Sequence, residues 1–344
     1  MLVLGYKAAT EQFAPNELLE NVIEAERQGF DSVDASDHFH PWRNDDVHCS
    51  FVWSWLGALG ARTQRIRFGT GITCPTLRYN PAVIAQAAAT LGVMFPGRFW
   101  LGVGTGEPLN ETATTGCWPR YPERKDRLIE AIQIIRGLWN GEHLTYAGRY
   151  YQTRDAHLYG QPPEPIPLFV AASGADTARL AGQYGDGWIT TGGAGGPGRD
   201  CTSLIPALER GAREAKRDPT LIARAVEIAV VYAQNRAEGI DEARLWADSM
   251  FPGLDKYGIY DPRDMQRYGS YLSDQTIASN WFISGDPGEH VALAEKFIQA
   301  GFTHLFFHAP GNRQREFIQF YGQEVLPKLR QRYGELKSSG QQAA

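Results

Sequence analysis

The sequence predicts a single (β/α)8 barrel in the α/β class, and three observations predict it. Short apolar segments rich in β-branched residues alternate with longer segments of helical periodicity. There are eight such strand segments, and no linker divides them into domains. Strands separated by helices pair in parallel, and 344 residues is an ordinary length for one barrel. We expect one domain over residues 1–335 and a small polar tail over 336–344.

The first half of the chain supplies four strand–helix units. The predicted strands are 2–5, 32–35, 66–72 and 98–103, and the predicted helices are 16–28, 51–61, 82–91 and 123–139. The first helix carries Leu18, Leu19, Val22 and Ile23 on one face, and Gly29 follows it as a C-terminal cap. After the fourth helix, LTYAGRYYQT predicts an inserted β-hairpin that turns at Ala147-Gly148.

The second half resumes the alternation. The predicted strands are 168–172, 188–191, 227–233 and 303–308, with helices at 176–184 and 204–216. A second insertion, rich in Tyr, Asp and Gly, runs from about 240 to 285 between the last two strands. The chief alternative is a doubly wound open sheet, which has a glycine fingerprint directly after its first strand. The residues there, Tyr6 to Ala9, contain no glycine.

Composition excludes several classes of function. The net charge is −5 and the basic residues are scattered, which argues against a nucleic-acid partner. The four cysteines lie far apart without the spacing of metal ligands, and they are Cys49, Cys74, Cys117 and Cys201. We therefore expect neither a disulfide framework nor a zinc site. This use of cysteine favours location in a reducing cytoplasm. No apolar run approaches the roughly 20 residues that cross a bilayer, so we expect no membrane partner.

Chemistry in a barrel of this kind lies beyond the carboxyl ends of the strands. After the second strand, Asp37-His38 pairs a carboxylate with an imidazole suited to general-base work, and Trp42 suits the wall of a planar ligand. The alternative is a helix-capping aspartate beside a surface histidine. His38 and His40 also suggest a metal pair, but no third ligand stands nearby, so we expect no metal.

The third and fourth strands end in glycine-containing loops. GTGITCP (69–75) permits close backbone approach, and Cys74 is expected to be a packing residue because no activating base is adjacent. GVGTGE (102–107) ends in Glu107, which emerges at the same face as His38. A carboxylic acid and an imidazole that flank one substrate can move two protons in opposite directions. Glu107 is alternatively a carboxylate at a helix N-terminus.

Two later loops complete the strand ends. AASGAD (171–176) opens a helix whose first N–H groups favour an anionic ligand, although an ordinary capped helix has the same sequence. TGGAGGPG (191–198) is suited either to a lid or to a tolerated surface loop.

Four motifs occur in one order along the chain: SDHFHPW (36–42), TLRYNPAVIAQ (76–86), LGVGTGEPLNE (101–111) and YGDGW (184–188). Together they resemble the luciferase-like barrel superfamily, and more narrowly its branch of dehydrogenases that use coenzyme F420. This coenzyme is an 8-hydroxy-5-deazaflavin that carries hydride. The similarity extends from about residue 4 to residue 329. The resemblance implies an F420-dependent enzyme that acts on a small hydroxyl-bearing substrate, and a homodimer.

The resemblance also implies roles for individual residues. Asp37 and His38 match the family's Asp-His pair, Trp42 its tryptophan over the ring, and Glu107 its catalytic carboxylate. Gly71-Ile72 matches a non-prolyl cis peptide that bulges against the deazaflavin. The other positions matched to coenzyme contacts, along with Asp37, are Cys74, Thr105, Gly106, Asn110, Ser173, Gly174, Ala175 and Asp176.

The resemblance is weakest for the substrate. Thr191, Lys256 and Asn280 match substrate-contacting positions. Members that oxidise sugar phosphates hold the phosphate with three cations, and Ala194 and Asn280 replace two of them here. Losing charge-assisted contacts weakens phosphate capture unless Arg43 or Arg199 compensates. We therefore expect a neutral substrate, an alcohol or an unphosphorylated sugar.

The expected mechanism follows from these roles. His38 removes the hydroxyl proton as hydride leaves the carbinol carbon, Glu107 supplies a proton to the ring nitrogen, and Trp42 excludes water. Three alternatives stay open: a sugar-6-phosphate dehydrogenase, an F420H2-dependent reductase or FMN-dependent monooxygenase of the same superfamily, and a coenzyme carrier without turnover. A mere carrier needs neither His38 nor Glu107, which disfavours the last.

Overall fold

Eight parallel strands close into a barrel in the computed structural model, which describes residues 2–193, 201–250 and 257–334. The barrel strands are β1 (Val3–Ala8), β2 (Ser32–Ala35), β3 (Arg67–Thr70), β4 (Phe99–Val103), β5 (Leu168–Ala171), β6 (Gly187–Gly193), β7 (Ala223–Tyr232) and β9 (His304–His308), and a further strand, β8 (Phe282–Ser284), lies outside the ring. Strands β1 to β7 pair in sequence, and β9 lies between β7 and β1 and closes the ring. The predicted (β/α)8 barrel is confirmed.

Helices surround the barrel and occupy its two insertions. They are α1 (Pro15–Arg27), α2 (Val52–Arg62), α3 (Pro81–Met94), α4 (Pro108–Thr115), α5 (Tyr121–Trp139), α6 (Ala175–Tyr184), α7 (Ile205–Glu214), α8 (Arg236–Ala243), α9 (Ala247–Met250), α10 (Pro262–Gly269), α11 (Asp274–Asn280), α12 (Pro287–Gln299), α13 (Gln314–Phe320) and α14 (Leu326–Tyr333). Within the described ranges, no helix combines the length and apolar character needed to cross a membrane.

The barrel interior is filled in layers. Trp100, Phe169, Ile189, Ala225 and Phe306 form an apolar layer. Residues two apart on a strand share a face, so the next inward positions towards the carboxyl ends belong to a second layer. On β1, β2, β7 and β9 the positions at this level are polar, and they are Lys7, Asp34, Glu227 and His308. The apolar layer thus supports a charged floor under the mouth of the barrel.

The first strand is longer than its pattern predicted. We expected it to end at residue 5, and it continues to Ala8. Lys7 is therefore a strand residue with its side chain inside the barrel, where Nζ lies 3.2 Å from Asp34 and 3.3 Å from Glu227. The two carboxylates compensate the buried charge of Lys7. A lysine at this position made the end of β1 look unlike a buried strand in the sequence.

The two insertions also differ in detail from the expectation. The hairpin forms, but the N–H of Gly148 bonds to the carbonyl of Tyr151, so the turn lies at residues 149–150 and not at Ala147-Gly148. The cause is Glu130 of α5, whose carboxylate accepts the N–H groups of residues 149–151. The second insertion contains a ninth strand, β8, which pairs in parallel with the end of β7. The expected tail, 336–344, lies outside the described residues.

Candidate active site

Asp37 anchors the loop that follows β2. Its buried carboxylate accepts hydrogen bonds from the hydroxyls of Thr73 at 2.7 Å and Tyr79 at 3.0 Å, and from the guanidinium of Arg78 at 3.0 Å. Burial raises the pKa of Asp37, and Arg78 and the two hydroxyl groups oppose the shift. The carboxylate is therefore engaged with the protein itself, and it fixes the backbone from which the next residue, His38, projects.

His38 and Glu107 meet at the mouth of the barrel. Nε2 of His38 lies 3.4 Å from Oε2 of Glu107. Nδ1 of His38 lies 3.3 Å from the carbonyl oxygen of His40, which can only accept, so Nδ1 carries a proton and Nε2 is the basic nitrogen. An imidazole and a carboxylate at this separation are the two group types that general acid–base catalysis uses most often. Glu107 is the N-cap residue of α4, but its side chain makes no capping hydrogen bond.

Asn110 ties the two catalytic candidates together. Its side-chain oxygen accepts the N–H groups of Phe39 at 2.8 Å and His40 at 3.1 Å, and its Nδ2 donates to Oε2 of Glu107 at 3.3 Å. Asn110 lies in the first turn of α4, directly after the loop that carries Glu107. The resemblance implied that Asn110 contacts the coenzyme, which stays a prediction. In the structure its side chain bridges the loop after β2 and the loop after β4.

Trp42 covers one side of this pair. Its ring centroid lies 5.2 Å from that of His38, with the planes inclined by 59°. Trp42 also packs against an apolar cluster that includes Trp246 and Trp281. The role of Trp42 as the wall of a ligand site stays a prediction.

The loops after β3 and β4 pack through glycine. The Gly71–Ile72 peptide bond is cis, as the resemblance implied, and the carbonyl oxygen of Gly71 accepts a hydrogen bond from Lys7 at 2.9 Å. Gly106 has φ +82°, and a Cβ there would lie 2.6 Å from Sγ of Cys74. Close packing of the two loops therefore explains the glycine-rich run, and Thr105 lies half-buried within it. Burial raises the pKa of the Cys74 thiol to about 12, which suits a packing residue and not a nucleophile.

The start of α6 is open. Residues 173–176 are exposed, and nothing lies within 4 Å of a Cβ built on Gly174, the N-cap residue. The first N–H groups of a helix lack intrahelical acceptors, so this end suits an anionic group. Asp176 faces away to Lys125, 2.8 Å from its Nζ. The expected contacts Ser173, Gly174 and Ala175 are thus available at the surface.

The polar layer was not predicted from the sequence as part of a site. Lys7 lies within reach of Asp34 and Glu227, and Nδ1 of His308 lies 2.9 Å from Oε1 of Glu227. Burial raises the pKa of Asp34 to about 7 against the pull of Lys7, whereas Lys7 and His308 outweigh burial and hold the pKa of Glu227 below its ordinary value. The sequence did contain a signal for this layer, because each of four predicted strands has a charged or imidazole side chain within it or close to its end.

Substrate-side residues are only partly described. Thr191 of β6 is exposed, and Asn280 at the end of α11 is exposed with its amide donated to the carbonyl of Thr276 at 2.8 Å. Ala194, Arg199 and Lys256 lie outside the described residues. In the three described ranges, no group of three or more His, Cys, Asp or Glu side chains has the arrangement of a metal site.

The profile of the family described as luciferase-like monooxygenase matches residues 3–304. The chain belongs to this family. Proteins named F420-dependent glucose-6-phosphate dehydrogenase resemble this luciferase-like chain over most of its length. The one from Microbacterium testaceum (strain StLB037) is 46% identical, covering 96% of this chain and 98% of its own. The one from Nakamurella multipartita (strain ATCC 700099 / DSM 44233 / CIP 104796 / JCM 9543 / NBRC 105858 / Y-104) is 45% identical, covering 96% and 97%.

Solved structures resemble this luciferase-like barrel as well. An F420-dependent secondary alcohol dehydrogenase in complex with an F420-acetone adduct superimposes with a TM-score of 0.87 at 35% identity, covering 94% of this chain and 98% of the other. A coenzyme F420-dependent tetrahydromethanopterin reductase from Methanopyrus kandleri has a TM-score of 0.78 at 22% identity, covering 95% and 99%. At 22% identity, the similarity to the reductase shows a shared fold and nothing further.

Proposed function

We propose that this chain is an F420-dependent dehydrogenase that oxidises a CH–OH group of a sugar 6-phosphate, with glucose 6-phosphate as the first substrate to test. The main structural support for a dehydrogenase is the His38–Glu107 pair at the barrel mouth, in which Nε2 and Oε2 lie 3.4 Å apart. Relatives named F420-dependent glucose-6-phosphate dehydrogenase, 46% and 45% identical over 96% of the chain, support both the coenzyme and the substrate. The sequence alone favoured a neutral hydroxyl compound.

The residues at the mouth fit this coenzyme. The half-buried Thr105–Gly106 segment offers backbone to a planar ring. The open start of α6 at Gly174 offers N–H groups to the anionic tail. When bound, the deazaflavin accepts a hydride at C5, which is chemistry that no side chain supplies.

The protein's own contribution is to hold and move protons. His38, with its Nδ1 proton directed to the carbonyl of His40, presents Nε2 to the substrate hydroxyl and accepts its proton. Glu107, whose Oε2 accepts a hydrogen bond from Nδ2 of Asn110 at 3.3 Å, would supply the proton that the ring nitrogen of the bound coenzyme takes up with the hydride. Trp42 shields His38 on one side and excludes water. Asp37, held by Thr73, Tyr79 and Arg78, keeps the loop in place.

An unphosphorylated sugar or simple alcohol is the second candidate substrate. Asn280, at a position where the resemblance implies a cation, is neutral, and its amide is bonded to Thr276. The structure named F420-dependent secondary alcohol dehydrogenase, with a TM-score of 0.87, also favours this candidate. The choice depends on whether another cation replaces the missing ones.

Absorbance of the oxidised deazaflavin tests the proposal directly. Purified protein and F420 are mixed in parallel with glucose 6-phosphate, glucose and isopropanol. We expect loss of absorbance with glucose 6-phosphate, at a kcat/KM at least about 100-fold above that for glucose, because a charge-assisted contact contributes about 1.5–3 kcal/mol. Faster loss with glucose or isopropanol transfers the assignment to the second candidate. No loss with any of the three contradicts the dehydrogenase.

We also propose that the protein is a homodimer joined through α2 and α3. The outer side of these adjacent helices exposes Phe51, Val83, Val93 and Met94. Helix α3 contains no charged residue, and α2 has only Arg62 at its last position. Uncharged exposed faces of this kind favour association. Light scattering is expected to give twice the chain mass for the wild type and the monomer mass for Val83→Glu, and a monomeric wild type contradicts the proposal.

A further inference from the structure

Several buried polar atoms near the barrel mouth lack hydrogen-bond partners among the described residues. Three of them belong to aromatic rings: Nε2 of His308, Nε1 of Trp42 and Nε1 of Trp281. Buried polar atoms are rarely left without partners, because such an atom forfeits its hydrogen bonds to water. All three belong to one region, since Trp42 packs against the apolar cluster that contains Trp281. Their concentration there points to a ligand with several polar groups.

His308 is held in one orientation. It is the last residue of β9, and its Nδ1 lies 2.9 Å from Oε1 of Glu227. Lys7 and His308 keep the pKa of Glu227 low, so this carboxylate is ionised and can only accept. Nδ1 therefore carries a proton, and the other ring nitrogen, Nε2, is left without a partner among the described residues. Glu227 is itself fixed by Lys7, whose Nζ lies 3.3 Å from Oε2.

An aromatic wall connects His308 to the catalytic pair. The rings of Trp246 and Trp281 lie 4.4 Å and 5.1 Å from the imidazole of His308, both nearly perpendicular to it. Trp42, which packs against the cluster containing both, lies 5.2 Å from the ring of His38. The two histidines thus border the same set of tryptophans, with strand β1 between β2 and β9.

We propose that Nε2 of His308 forms a hydrogen bond with a second hydroxyl of a sugar substrate, while Trp42 and Trp281 donate to other sugar oxygens. This inference rests on the proposed dehydrogenase function and names the feature that selects its substrate. Every sugar hydroxyl both donates and accepts, so an imidazole nitrogen and two indole N–H groups match it. A simple alcohol has only the reacting oxygen and leaves these atoms unpaired. Because Nε2 is shielded from solvent, sugar binding at this position requires that a neighbouring side chain move.

His308→Asn separates the two nitrogens of the imidazole. The asparagine amide retains a donor near the position of Nδ1 for Glu227 and removes Nε2. His304→Asn is the matched control, because His304 is a partly buried histidine on the same strand at the opposite end of the barrel. F420 binding, measured by fluorescence titration, is expected to stay within about threefold of wild type in both variants.

The decisive readout compares two substrates. For His308→Asn we expect kcat/KM for glucose 6-phosphate to fall about 10- to 100-fold, mainly through KM, as the loss of one well-placed hydrogen bond predicts. Turnover of isopropanol, where the wild type shows it, is expected to stay unchanged. Equal losses on both substrates, or no loss on the sugar, overturn the inference.

Calorimetric titration of glucose 6-phosphate and glucose into coenzyme-loaded protein keeps the test independent of turnover. We expect the wild type to bind at least one of the two sugars, and His308→Asn to bind it about 10- to 100-fold more weakly. Sugar binding without loss of deazaflavin absorbance contradicts the proposed function while leaving the role of His308 standing. Failure of the wild type to bind either sugar, or equal binding by His308→Asn, overturns the inference.

Discussion

Gly71 and Asp34 are complementary in shape: a Cβ on Gly71 would overlap Oδ1 of the Asp34 carboxylate. The same oxygen lies 3.2 Å from Nζ of Lys7, which also donates to the carbonyl oxygen of Gly71 at 2.9 Å. The lysine therefore holds both partners against each other. Because Asp34 is buried and cannot turn towards solvent, position 71 accepts no side chain while Asp34 is present.

A double-mutant cycle tests this complementarity. Gly71→Ala is expected to destabilise the protein by about 1–3 kcal/mol through overpacking, and Asp34→Ala to relieve the overlap when the two changes are combined. Contacting residues of this kind show interaction energies of about 0.5–3 kcal/mol. Urea unfolding of the wild type, both single variants and the double variant measures it. Strictly additive losses would mean that the two positions do not compete for space.

Removing either member of the catalytic pair tests the mechanism. We expect His38→Ala and Glu107→Gln each to lower kcat by roughly 10²–10⁴-fold, because general acid–base catalysis contributes that much. F420 binding is expected to be largely retained, since neither change alters Gly71, Gly106 or the start of α6. His143→Ala, at an exposed histidine paired with Asp155, serves as the control. Turnover close to wild type in either variant removes that residue from the mechanism.

The polar layer predicts a pH dependence of stability. Burial raises the pKa of Asp34 to about 7 although Lys7 lies nearby, and this is above the pKa of an unfolded aspartate, near 3.9. The folded state therefore binds more protons than the unfolded state between these pH values, and the contribution of Asp34 to stability falls as pH rises from about 4 to 7. Asp34→Asn removes this titration.

Thermal or urea unfolding at pH 4.5 and 7.5 checks the sign. We expect the free energy of unfolding of the wild type, relative to Asp34→Asn, to be lower at the higher of these two pH values. A difference that rises with pH contradicts the assignment, because it means that Asp34 is ionised throughout.

Thiol reactivity distinguishes a packing cysteine from a nucleophile. Cys74 is buried, with its Sγ 3.1 Å from the hydroxyl of Thr76, and burial raises its pKa to about 12. Cys117 is exposed. Iodoacetamide at pH 8 is therefore expected to label Cys117 in the native protein and to reach Cys74 only after denaturation. Peptide mass mapping measures both sites, and rapid native labelling of Cys74 contradicts its packing role.

The sequence predicted those parts of the site that depend on position along single strands. His38 and Glu107 follow predicted strands, and the carboxyl ends of parallel strands share one face, so their proximity followed from the fold. The polar layer depends on how inward positions of four strands meet across the barrel, which no local pattern specifies. The shifted hairpin turn has the same cause, since Glu130 acts on residues about 20 positions away.

Closure of the barrel by β9 has a consequence for synthesis of the chain. Strand β9, at His304–His308, lies between β7 and β1 and supplies the last hydrogen bonds of the ring. A ribosome-bound chain that ends before residue 303 therefore presents two unpaired strand edges, which are templates for association with other chains. Nascent chains of this protein thus depend on protection from such association until almost the whole polypeptide has emerged.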